Sequence, residues 1–110
     1  METEKIELGS NWWEIRKRMT MGVYRASEEL SAPYMKPEVT DPKAMLELVP
    51  IPIRLKMNRV QVFKATVAWS YGPVTEEIFD NEVEPKDYEI VLRRLNELYG
   101  SSPLAKTGES

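Results

Sequence analysis

A chain of 110 residues is enough for one domain with one modest core. The absence of cysteine and histidine removes disulfides, thiolate chemistry, the commonest general base and the commonest metal ligand. A net charge of −3 argues against a dedicated phosphate-backbone binder, and 42% hydrophobic with 30% charged residues argues against a disordered chain. No apolar run approaches the roughly 20 residues of a membrane span. The opening METEKIELGS lacks the basic start and apolar stretch of a signal peptide.

Lys5-Ile6-Glu7-Leu8 alternates polar and apolar, Gly9-Ser10-Asn11 supplies turn residues, and Trp12-Trp13-Glu14-Ile15-Arg16 alternates again. This pattern predicts a β-hairpin with Trp13 and Ile15 on one face. The competing reading is a helix from Trp12 capped by Ser10 or Asn11; Thr20 is the better-placed N-cap, which favours the hairpin. After Thr20, Val23, Ala26, Ser27 and Leu30 fall on one face of a short helix that Pro33 would end.

Residues 31–44, SAPYMKPEVTDPKA, carry three prolines and little periodicity, and read as an extended, mobile connection. Met45–Val49 is the candidate for a third strand, which Pro50 and Pro52 would confine to a sheet edge. Arg54–Ser70 is the longest helix candidate. Leu55, Val62 and Trp69 align at about 100° per residue, and Val60 and Val67 widen the apolar arc to roughly 200°, leaving Lys56, Gln61 and Lys64 to water. An arc that wide exceeds what one neighbouring layer covers, so this helix is expected to be central or shared with another chain.

Gly72-Pro73 stops that helix, and Thr75 caps a short one whose Glu76 and Glu77 suit the positive end of its dipole. Pro85 opens a last helix with the stripe Tyr88, Val91, Leu92, Leu95, Leu98, Tyr99, and Gly100 is the expected residue past its end. Residues 101–110 read as a disordered polar tail, leaving 1–100 as the domain. The predicted class is α+β: an N-terminal hairpin, with a third edge strand, on a mainly helical bundle of about three or four helices.

Few residues here could carry chemistry. Glu76, Glu77, Asp80, Glu82, Glu84, Asp87 and Glu89 crowd one segment, but without the alternating ligands and central glycine of a calcium loop they read as a solvated or partner-facing acidic surface. Arg16-Lys17-Arg18 beside two tryptophans could stack single-stranded nucleic acid, yet on a strand alternate charges point apart. No nucleophile motif or phosphate loop occurs, so no enzyme is expected, and no cofactor or metal. Trp12 and Trp13 cannot both be buried beneath one face of a strand. One of them and Trp69 are assigned to the core, and the outward one is a contact anchor or incidental. The candidate partner-binding residues are Trp12, Trp13, Met57, Val60, Val67 and Trp69, with methionines (Met19, Met21, Met35, Met45, Met57) supplying adaptable contacts.

The order of landmarks adds a resemblance. An apolar strand precedes WWEIR; RMTMGVY steps into a helix; a long helix ends in VAWS; YGPVTEEIFD follows; EPKDYEIVLRRLNELYG closes. Across residues 3–99 this resembles the tail assembly chaperones of long-tailed bacteriophages. The resemblance implies an α+β fold without active site or cofactor. It further implies a protein of the bacterial host cytoplasm, absent from the mature virion, that coats the tape-measure protein until tail-tube subunits polymerise around it. Self-association, or pairing with a longer frameshifted form departing after Gly100, and contact with the tail-tube protein are also implied. The rival expectations are a structural virion protein (a head–tail connector or tail terminator) and a small nucleic-acid-binding regulator.

Overall fold

The computed structural model describes residues 2–100. Strand β1 (Thr3–Leu8) and strand β2 (Asn11–Arg16) form the antiparallel hairpin, with Ile6 opposite Trp13 and Leu8 opposite Asn11. The loop is Gly9-Ser10, and Gly9 has φ +80°, the positive value that the first central position of a II′ turn requires. Thr20 then caps helix α1 (Met21–Ser31), its hydroxyl accepting from Val23 N. A 3₁₀ turn (Ala32–Tyr34) follows.

The next stretch departs from the sequence reading. Met45–Val49 is not a strand, because helix α2 (Pro42–Glu47) starts at Asp41, whose carboxylate accepts from Ala44 N at 3.3 Å. Within 31–44, Ser31 ends α1, Ala32–Tyr34 is the 3₁₀ turn and Pro42 opens α2, while residues 35–41 between them form neither helix nor strand. Pro42 and Pro52 stand in the first turns of α2 and α3, where a missing N–H costs nothing. Pro42, expected in the connection, and Pro52, expected to confine a strand, both start helices. Arg54 Nε donates to Val49 O at 3.0 Å and holds the α2–α3 junction.

Helix α3 (Ile51–Ala65) ends five residues before the predicted stop at Ser70, and strand β3 (Thr66–Trp69) follows with no loop between them. The Thr66 hydroxyl explains the change. It donates to Val62 O at 2.7 Å, taking a carbonyl at the helix end, and accepts from Trp13 Nε1 at 2.8 Å. Thr66 sits at φ −76°, ψ 128°, and the chain leaves extended. β3 pairs antiparallel with β2, giving the sheet order β1-β2-β3 with a bulge where Val67 and Ala68 together face Glu14. The third strand is an edge strand, drawn from what read as helix.

Helix α4 (Glu76–Asn81) is capped by Thr75, whose hydroxyl accepts from Ile78 N, and helix α5 (Pro85–Leu98) closes the fold. Gly100 follows Tyr99, the C-cap of α5, at the position expected past the helix end, while the glycines with positive φ are Gly9 and Gly72. The predicted tail, 101–110, lies outside the described residues. The fold is α+β, with the helices packed on one face of the sheet. Trp13, Ile15, Val23, Val62, Ala65, Trp69, Val91 and Leu95 form the core. On the other face Thr3, Lys5, Glu7, Trp12, Glu14 and Arg16 are all at least partly exposed.

Two polar contacts tie the layers together. Arg94 on α5 grips Glu4 on β1 through both carboxylate oxygens, at 2.6 and 2.9 Å, and holds that carboxyl below its usual range. Asp87, buried in the first turn of α5, accepts from the Tyr71 hydroxyl and from Asn11 Nδ2, while Asn11 Oδ1 accepts from Ser70 Oγ at 3.0 Å. Ser70 Oγ in turn accepts from Trp12 N. The Trp-Ser-Tyr-Gly stretch therefore fastens the hairpin turn to α5.

Replacing Thr66 by Val keeps the shape but strands the Trp13 N–H. Urea unfolding is expected to lose about 1–3 kcal/mol, and an unchanged midpoint would show that the hydroxyl is dispensable. Burial, reinforced for Tyr71 by Asp87, pushes the phenols of Tyr71 and Tyr99 up to about 12, and burial raises Tyr88 as well. Because the fold favours their neutral forms, this stabilisation is complete below pH ~10 and lost as pH rises through ~12. Phenolate absorption of the folded protein is expected to lag behind that of the chain in denaturant, and coincident curves would refute the burial.

Candidate partner-binding surface

Three of the six residues singled out from sequence are not available to a partner. Trp13, Met57 and Trp69 retain 0, 7 and 3% exposure. Trp13 and Trp69 meet edge to face at 5.1 Å between centroids, and Phe79 stacks on Trp69 at 6.2 Å. The two indoles are the centre of an aromatic cluster, with their N–H groups bound to Thr66 Oγ1 and Pro73 O. Met57 faces inward, beside a cavity of about 150 Å³ that Met35, Met45, Tyr24 and Val49 also line. Gln61, expected in water, is buried too.

Trp12 and Val67 are half-buried on the sheet's open face, and Lys5 Nζ lies 4.4 Å from the Trp12 ring centroid. This pair leaves one indole face already occupied by a cation. Of the basic run, Lys17 and Arg18 are exposed, whereas Arg16 ends β2 and its carbonyl, like that of Arg18, accepts from the Tyr99 hydroxyl.

Val60 stands elsewhere, in a cleft of about 180 Å³ between α3 and α4. Val60, Phe63 and Phe79 make its apolar floor; Lys56, Arg59 and Lys64 form one wall, and Glu76 and Asp80 the other. Apolar surface flanked by opposite charges suits the side of an amphipathic helix. The acidic segment contributes this wall, but not as one uniform surface, since Asp87 is buried and hydrogen-bonded. Among the described residues no group of three or more acidic side chains is placed to hold a metal ion, and no helix is long and apolar enough to cross a membrane.

The residues that sequence reasoning missed lie on the first half of α3. Ile51, Leu55, Asn58, Val62 and Ala65 share one stripe at helical spacing. At its C-terminal end the stripe is core, with Val62 and Ala65 at 0% exposure; at its N-terminal end Ile51 and Leu55 are 63 and 52% exposed. Leu55 lies one turn before Arg59, so this open stretch runs alongside the α3–α4 cleft. The signal was present in the sequence as the wide arc on the long helix. What could not be read was which end of that arc the fold leaves uncovered.

No protein-family model matches the chain, and neither the curated proteins nor the solved structures contain a match to it.

Proposed function

We propose that this protein is a tail assembly chaperone of a long-tailed bacteriophage, holding the helical tape-measure protein soluble in the host cytoplasm until tail-tube subunits polymerise around it. The reading is non-enzymatic and requires no cofactor. One observation carries it: the core stripe of α3 continues into solvent at Ile51 and Leu55 instead of ending with the fold. A binder of apolar helices needs such a surface, and the neighbouring cleft adds an aromatic floor with both signs of charge. Weak, repeated contact along a long target suits a shallow stripe better than a closed pocket. The landmarks Trp69-Ser70 and Pro73-Val74-Thr75 support the reading from the sequence side.

Co-expression with the tape-measure protein encoded in the same genome tests this. The intact chain is expected to keep that protein in the soluble fraction and to be absent from purified tails. Leu55→Glu or Ile51→Glu, which alter no core contact, should weaken binding about tenfold or more with unchanged circular dichroism. Recovery of the chain from mature virions, or full holding by both variants, would sink the proposal.

A further inference from the structure

We propose that two copies of this chain associate through the free edge of β1, pairing antiparallel about Ile6 so that Lys5 of each copy stands opposite Glu7 of the other. The geometry begins at the turn. A two-residue loop closes on a hydrogen-bonded pair, here Leu8 and Asn11, so the even-numbered residues of β1 direct their backbone groups toward β2. Lys17 N donating to Glu2 O at 3.1 Å continues the same parity. The N–H and C=O groups of Thr3, Lys5 and Glu7 therefore point away from β2, and β1 is an outer strand of the sheet. Nothing among the described residues bonds to that edge as a fourth strand.

An unpaired edge is a template for another strand, and natural sheets blunt such edges with bulges, prolines or shortness. β3, the opposite edge, is four residues long and bulged. β1 is six residues long, carries no proline and pairs with β2 without a register shift. Its only protection is charge, and charge is what selects the partner.

Only outward-facing residues can be bonded to each other across a two-fold axis, which restricts the registers. Centring the axis on Lys5 sets lysine against lysine, centring it on Glu7 sets glutamate against glutamate, and centring it on Glu4 sets two glutamates together. Centring it on Ile6 pairs Lys5 with Glu7 twice, brings the two Ile6 side chains together, and forms about four backbone hydrogen bonds. It is the one central register without a like-charge pair. The axis runs perpendicular to the sheet, so both helical layers fall on one side and both Trp12 side chains on the other. Lys5 is already aligned over Trp12, which holds its ammonium on the open face where Glu7 also stands. Ile90, 43% exposed, lies one turn before Arg94 on the flank of α5 that reaches β1 through Glu4, and a second copy at this edge approaches that flank.

Sedimentation equilibrium of the full chain over a concentration series tests the pairing. A reversible species of twice the 12.8 kDa monomer mass is expected. Lys5→Glu and Glu7→Lys should each weaken it about tenfold or more, and the double swap K5E/E7K should restore it, because the swap rebuilds the pairing with signs exchanged. Circular dichroism of each variant separates lost association from lost folding, and the double swap recovers the dimer only if the charges face each other. A monomer at every concentration overturns the proposal. So does a dimer indifferent to both single changes, or one abolished by Leu55→Glu, which would place the contact on α3.

Discussion

The indole N–H of Trp13, the hydroxyl of Thr66 and the carbonyl of Val62 form a short relay on which the rest of the fold depends. Each member belongs to a different element: β2, the first residue of β3, and the last turn of α3. Removing the indole would cost about 3–5 kcal/mol from packing alone, a large share of the 5–15 kcal/mol that holds a domain of this size together. The hydroxyl sets direction as well as stability. By taking the Val62 carbonyl it ends the helix, and by receiving Trp13 it turns the chain onto the sheet. Helix, strand and aromatic cluster are fixed by one side chain.

A second polar assembly does the same at the opposite end of the sheet. Asn11, Ser70, Tyr71 and Asp87 come from a hairpin turn, a strand exit and a helix start, and all meet around one buried carboxylate. Asp87 is tolerated there because it has two donors and sits in the first turn of α5, where the helix dipole favours negative charge. The two assemblies leave the sheet's inner face satisfied and its outer face open. With the helices committed to one side, the surfaces left for other molecules are the open sheet face, its β1 edge and the uncovered half of α3.

Local chemistry was legible in the sequence, and tertiary decisions were not. Thr20, Thr75 and Pro85 mark helix starts by side-chain chemistry that needs no distant partner, and Gly9-Ser10 between alternating runs marks a hairpin. Asp41-Pro42 carries the same kind of signal, obscured by the surrounding prolines. The end of α3 depends on Trp13, 53 positions away, which no local pattern contains. Trp69 kept the helical spacing with Leu55 and Val62 by coincidence, since Thr66 had already changed the period. For the binding surface, the excess of apolar residues on α3 was readable. The core places of Trp69 and of one hairpin tryptophan follow from the pattern. Counting Trp13, Met57 and Trp69 among partner-binding residues does not survive their burial, because sequence shows which side chains are apolar and not which the fold covers.

The seamless passage from α3 into β3 also has a mechanical side. A helix of fifteen residues spans about 22 Å, and no loop intervenes to absorb displacement where it meets the sheet. The end at Ile51, joined to α2 through the Arg54–Val49 bond, is thus the far tip of a stiff rod that meets the sheet at Thr66. Force applied at that tip is delivered to the Trp13 pivot, and from there across the hairpin to the far edge of the sheet.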